Sequence, residues 1–196
     1  FFEIASSGLP KGMINRIDYS SNGDHRKDWG EWQSIVGDEL NKDVLFGINI
    51  EVNQTALMQS DQFDVVVNSK ALAAISGNYK LVVCLTENNI TNWQKDGDID
   101  DDSYVHKHVL RSFLTPTFGE DLANEEINNG DSFSNGFSPV ISDLENYNID
   151  YSQNTLTLGN GNAGDWDLNN MYVLAYIYDE SSNEILQVEE KSILNK

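Results

Sequence analysis

Beyond residue 42, apolar and polar positions alternate with a period of two over much of the chain. Val44, Phe46, Ile48, Ile50 and Val52 fall on one face of an extended segment, and Leu45, Gly47, Asn49 and Glu51 on the other. That is the pattern of a half-buried strand. Phe63, Val65 and Val67 begin a second strand. Residues 79–86 are apolar on both faces and predict a central strand. Residues 171–178 read the same way and form a hairpin with 185–188 across the polar residues 179–183. The run 104–114 predicts one long strand, and 137–141 and 155–158 are weaker candidates. Short strands separated by Asn/Asp/Gly/Ser segments, with no helical period between them, predict a mostly β chain: an antiparallel β-sandwich, Ig-like or jelly-roll-like. Residues 115–136 and 142–170 are expected to be long polar loops, and loops on a rigid scaffold are where binding residues tend to sit.

Residues 1–42 have a different texture. Trp29, Trp32, Val36 and Leu40 recur at helical spacing, with Ile35 widening the stripe. Asp28 followed three residues later by Glu31 reads as a capping box, so a helix is predicted over 28–41. A loop at 6–12 and a short strand at 13–17 precede it. The predicted organisation is therefore a short α/β segment, 1–42, followed by a β-sandwich domain, 43–196.

Charge narrows the partners. Twelve basic against 32 acidic residues give a net charge of −20. A polyanion of this strength is repelled by nucleic acid and by anionic membrane surfaces. No apolar run is long enough to cross a membrane as a helix. The single cysteine, Cys84, lies in the apolar run Leu81-Val82-Val83-Cys84-Leu85 and reads as a buried small hydrophobe.

Several segments together resemble a known family. Tyr104-Val105-His106-Lys107-His108-Val109-Leu110-Arg111, followed by Leu114-Thr115-Pro116-Thr117-Phe118-Gly119-Glu120, is similar to a signature of the twenty-eight-kilodalton outer-membrane protein family of Bacteroidetes. So are Leu85-Thr86-Glu87-Asn88-Asn89-Ile90 with Gln94, and the C-terminal hairpin with Val173-Leu174-Ala175-Tyr176-Ile177-Tyr178-Asp179. Gly8-Leu9-Pro10 followed by Ile14-Asn15-Arg16 matches that family's N-terminal boundary. The resemblance implies an extracytoplasmic protein of the outer membrane or cell surface, often a lipoprotein, anchored through a segment preceding this chain. It also implies a thioredoxin-like part followed by a β-sandwich, with residues 1–42 as the tail of the former and Pro10 as its cis-proline. The resemblance implies the adhesion or receptor role that has been proposed for the family, and it carries over no catalytic residues.

Candidate chemistry is sparse. Asp96, Asp98, Asp100, Asp101 and Asp102 crowd carboxylates into one stretch. Such a loop suits a hard cation, and calcium is the cofactor it would take. The EF-hand pattern fails, because Asp101 replaces the turn glycine and Lys107 the bidentate glutamate; a solvated acidic loop is the plainer alternative. Asp165 and Asp167 could lend further ligands. His106 and His108, two apart on a predicted strand, would share a face, yet zinc needs a third ligand and His25 is distant in sequence. No serine-nucleophile or phosphate-cradle motif is present; Gly159 to Gly164 has suggestive glycine spacing but leads into Asp165-Trp166-Asp167 and a strand. Trp93 and Trp166, with Tyr147 or Tyr151, lie in predicted loops, where aromatics either bind ligand or fold back over the sandwich end. The expectation is a non-enzymatic surface protein that binds a protein or glycan. The alternatives are a carbohydrate-binding or hydrolysing module, which predicts an aromatic-lined groove, and a scaffold that presents the thioredoxin-like part.

Overall fold

A computed structural model describes residues 11–96, 99–123, 125–154 and 163–194. Eight strands build the sandwich: β1 (Phe46–Asn53), β2 (Asp64–Ala71), β3 (Tyr79–Glu87), β4 (Val109–Phe113), β5 (Glu120–Ala123), β6 (Ser132–Phe137), β7 (Met171–Asp179) and β8 (Ile185–Ser192). All pairings are antiparallel. The larger sheet runs β4-β3-β7-β8, with β5 continuing the β4 edge along β3. The smaller sheet runs β6-β2-β1.

The alternation in the sequence is the alternation of the sheets. Leu81, Val83 and Leu85 of β3 and Val173, Ala175 and Ile177 of β7 point inward, as do Phe46 of β1 and Val65 and Val67 of β2, all fully buried in one cluster. The sheets are joined along their edges by side-chain amides. Gln187 Nε2 donates to the Phe46 carbonyl at 3.1 Å and Gln54 Nε2 to that of Ile193 at 2.6 Å. At the opposite edge Asn135 Nδ2 donates to Glu120 Oε1 at 2.7 Å.

β3 and β7 are apolar on both faces because their outer face is covered too. Val82, Cys84 and Thr86 face away from the core and are buried nonetheless. Burial pushes the Cys84 thiol up to about 11, so it is an inert packing residue. Thr115 to Glu120 returns the chain from β4 to β5 through a turn at Gly119, whose N–H donates to the Pro116 carbonyl at 2.7 Å. Gly119 has φ +75°, and a Cβ there would sit 2.5 Å from the Leu81 carbonyl oxygen. Only glycine fits, which gives that stretch a structural reason for its residues.

Three expectations are corrected. Residues 13–17 are a turn, with Asn15 and Arg16 left-handed (φ 50° and 58°); among the described residues the ladder beside it pairs Lys11–Gly12 with Lys27–Asp28. Residues 104–114 break into Val105–His106 and β4, because His108 is left-handed (φ 50°). Residues 115–136 and 142–170 are not loops throughout: β5 and most of β6 lie within the first, and a helix α2 spans Ile141–Asn154, where Ile141 was expected to end a strand. The first helix, α1 (Trp29–Glu39), is where the spacing predicts it, with its capping box formed. Its inward side carries Trp32, Ile35 and Glu39, however, and Trp29, Val36 and Leu40 are exposed.

Residues 11–42 lie against the larger sheet. The Arg16 guanidinium sits over the rings of Tyr176 and Tyr178, 5.2 and 5.7 Å from their centres, and donates to the Tyr176 hydroxyl at 3.0 Å. The Ile185 N–H donates to the Asn15 carbonyl at 2.9 Å, and Lys42 lies 3.8 Å from Glu184. Pro10 and residues 155–158 lie outside the described residues.

Candidate functional site

Between β3 and β4 the chain does not turn directly. It runs out along Ile90–Thr91, paired with Val105–His106, and then Gln94–Asp96, paired with Ile99–Asp101. This two-stranded arm is tied down at its root, where the His108 N–H donates to Asn88 Oδ1 at 2.7 Å and Asn89 Nδ2 to Asn170 Oδ1 at 2.9 Å. Trp93 lies between its two ladders with 52% of its surface exposed.

Beneath the root, a β-bulge between Leu110 and Ser112 shifts the register of β4. Arg111 Nε bonds Glu87 Oε2 at 2.7 Å, with both side chains 6% exposed or less. Glu87 Oε1 accepts the Asp167 N–H at 3.0 Å. Trp166 covers the pair, its ring centre 5.7 Å from the guanidinium, with its indole N–H on the Ala163 carbonyl. Of the two candidate tryptophans, Trp166 thus folds onto the core and Trp93 stands free.

α2 closes the other side. Its inward positions are Ile141, Leu144, Glu145, Asn148, Ile149 and Ser152, a full helical face. Glu145 Oε1 accepts the Trp166 N–H at 3.2 Å, and Asn148 Nδ2 donates to the Arg111 carbonyl at 2.7 Å. Half of this face is polar, which hides the helix from hydrophobic periodicity. Its start is also satisfied from a distance: Asp61 accepts from the N–H groups of Ile141 (2.9 Å, backbone carbonyl) and Ser142 (2.7 Å, carboxylate). The spacing 141, 144, 145, 148, 149, 152 was the available signal.

The arm, β4 and α2 enclose a groove of ≈ 340 Å³. The arm contributes Ile90, Asn92, Trp93 and His106, and α2 contributes Asn148, Tyr151 and Ser152. Tyr151 is 45% exposed, and its ring lies near-parallel to that of Tyr147, 6.3 Å away. No Asp or Glu is among the described lining residues. The groove can hold a ligand by stacking and neutral hydrogen bonds. A second concavity of ≈ 500 Å³ lies on the smaller sheet. The amides there are already engaged, with Asn68 Nδ2 on Glu51 Oε1 at 3.2 Å and Ser134 Oγ on Asn68 Oδ1 at 2.9 Å.

The acidic stretch lies at the outer end of the arm and is not a free loop. Asp96 ends one strand, Asp100 and Asp101 belong to the returning one, and Asp102 follows in the turn. Asp101 accepts from the N–H and Oγ of Ser103, both at 2.8 Å, and these bonds hold its carboxyl below the usual range. Asp98 and the Asp96 side chain lie outside what is described. Among the described residues no three His, Cys, Asp or Glu gather as a metal site. His106 and His108 do not act together: the first packs edge-on against Tyr104, and the second lies 3.1 Å from Glu190.

The family described as Outer membrane protein Omp28 matches residues 2–156. The chain belongs to the Omp28 family. Family membership places it at the outer membrane or cell surface, as the sequence resemblance implies. The match includes the arm, β4 and α2, and so most of the groove. Among solved structures, a domain of the outer membrane lipoprotein Omp28 from Porphyromonas gingivalis is similar at 16% identity and a TM-score of 0.46, over 78% of this chain and 90% of that one. A mutant β-glucosidase from Listeria innocua in complex with laminaribiose is matched at 13% identity and a TM-score of 0.30, over 76% of this chain and 16% of that one. No curated protein matches. Among the described residues of this Omp28-family chain, no helix is long and apolar enough to cross a membrane.

Proposed function

We propose that this Omp28-family chain is a non-enzymatic binding or adhesion module of the cell envelope that engages its ligand in the groove between the arm and α2. The observation that carries this reading is the exposed pair Trp93 and Tyr151, one on the arm and one on α2, in a groove with no Asp or Glu among its described lining residues. Large aromatics left half in water at a concave site supply contact area at small entropic cost. The scaffold reading has its own support in the Arg16 clasp, and the two are compatible, since residues 11–42 lie on the sheet and do not line the groove. The test is capture of the chain on immobilised bacterial cell-surface fractions, followed by interferometry. The Trp93→Ala/Tyr151→Ala variant is expected to lose capture, and Lys70→Ala on the smaller sheet to retain it. Equal capture by all three proteins would remove the groove from the function.

A further inference from the structure

We infer that the ligand of the groove is an uncharged glycan, held by stacking a sugar ring against Trp93 and Tyr151. The inference rests on the binding reading above and adds the chemistry of the ligand. Three observations lead to it. First, the exposed aromatic surface is arranged as platforms: Trp93 is 52% exposed, and Tyr151 lies near-parallel to Tyr147, which is 68% exposed. The C–H face of a pyranose is the small, flat, weakly apolar surface that such rings accept, while its rim of hydroxyls needs donors and acceptors. Second, the rest of the lining supplies those: the Asn92 amide, the side-chain oxygen of Asn148 (its amide nitrogen being on the Arg111 carbonyl), the His106 imidazole and the Ser152 hydroxyl. Asn92 uses its carbonyl oxygen on the Trp93 N–H at 2.7 Å, and no bond from its amide nitrogen is found among the described residues. Third, Arg111 is the one permanent charge among the described lining residues, and its Nε is spent on Glu87 inside the protein. A phosphate, sulfate or uronate would find no open cation among these described residues and would meet a chain of net charge −20. A polypeptide partner of standard size needs roughly 800 Å² from each side. A groove of ≈ 340 Å³ is instead in the range of small-molecule sites and suits a short stretch of sugar.

The experiment has two arms. In the first, the whole chain is titrated calorimetrically with neutral gluco-, manno-, galacto- and xylo-hexaoses and with oligo-uronates. At least one neutral series is expected to bind, and the uronates are not. Trp93→Ala and Tyr151→Ala should each weaken binding by about tenfold, with Trp93→Phe partly restoring it and with unchanged melting temperatures. In the second arm, the cell-surface fractions are treated with periodate, which cleaves vicinal diols, or with protease, before capture. Periodate is expected to abolish capture. Capture that survives periodate, needs Trp93 and is lost on proteolysis overturns the glycan but keeps the binding module. Preference for uronates, or no binding by any neutral series, also overturns the glycan. Capture that does not depend on Trp93 and Tyr151 overturns both readings.

Discussion

Two segments outside the sandwich, residues 11–42 and the arm, are held to it in different ways. Residues 11–42 are clasped at two separated places: Arg16 sits on two tyrosines and the Asn15 carbonyl takes a strand N–H, and at the far end Lys42 reaches Glu184. The arm, residues 88–108, is fixed at its root by Asn88 and Asn89 and by the buried Glu87–Arg111 pair beneath it. Beyond the root it is held by its own ladders. The first arrangement shields a sheet face. The second lifts Trp93 into solvent opposite Tyr151. A segment anchored at one end can carry side chains away from the core without leaving their direction to chance, because its base is rigid.

The sharpest way to break this contrast is at the root. Arg111→Ala leaves Glu87 buried without its cation and is expected to cost about 3–5 kcal/mol, read as a lowered urea midpoint. Glu87→Gln/Arg111→Met, which removes both charges, should recover much of that loss. A single variant as stable as the parent would mean that the arm has no rigid base.

Next comes the outer face of the larger sheet. Cys84 ordinarily ionises near 9.0, and burial raises it to about 11 in the folded chain. Between those values the unfolded state has lost a proton that the native state keeps, so stability falls as pH rises through the window. The loss reaches roughly 2–3 kcal/mol at its upper end. At pH 8 iodoacetamide should modify Cys84 only at the rate of global unfolding. Rapid alkylation of the native protein would show that this face opens by itself.

Arg16→Ala should be milder and local. It removes a cation–π contact and a hydrogen bond, about 1–2 kcal/mol together. Hydrogen exchange is expected to quicken within residues 14–42 while the sandwich and the arm stay protected. Uniform quickening would mean that the clasped segment is part of the core. The smallest effect is expected at α1, where Asp28→Ala removes the N-cap at about 1 kcal/mol. Its sign would appear as a loss of helix signal that precedes the main transition.

Much of the sandwich was readable because the strands concerned obey one rule each, whereas β5 and most of β6 fall within 115–136, which reads as a loop. β1 and β2 alternate, and β3 and β7 are apolar on both faces, so periodicity alone places them. The site was not readable by that rule. α2 puts Glu145, Asn148 and Ser152 on its inward face and borrows its cap from Asp61, 80 residues earlier in the chain. The break at His108 is a backbone torsion, and the bulge beside Arg111 is one extra residue; neither disturbs the apolar spacing of 104–114. Nor does sequence separate Trp93 from Trp166. What separates them is a guanidinium that the fold brings beneath one and not the other.

The amides that join the sheets have one more effect. A strand at the margin of a sheet offers unpaired carbonyls and N–H groups to any extended chain nearby, and that is how β-proteins come to polymerise. Here Gln187 occupies the Phe46 carbonyl and Gln54 that of Ile193, so those acceptors are taken from within the molecule. Glu189, Glu190 and Lys191 set charges along the same β8 margin. Occupied acceptors and edge charges of this kind disfavour strand-by-strand pairing between copies.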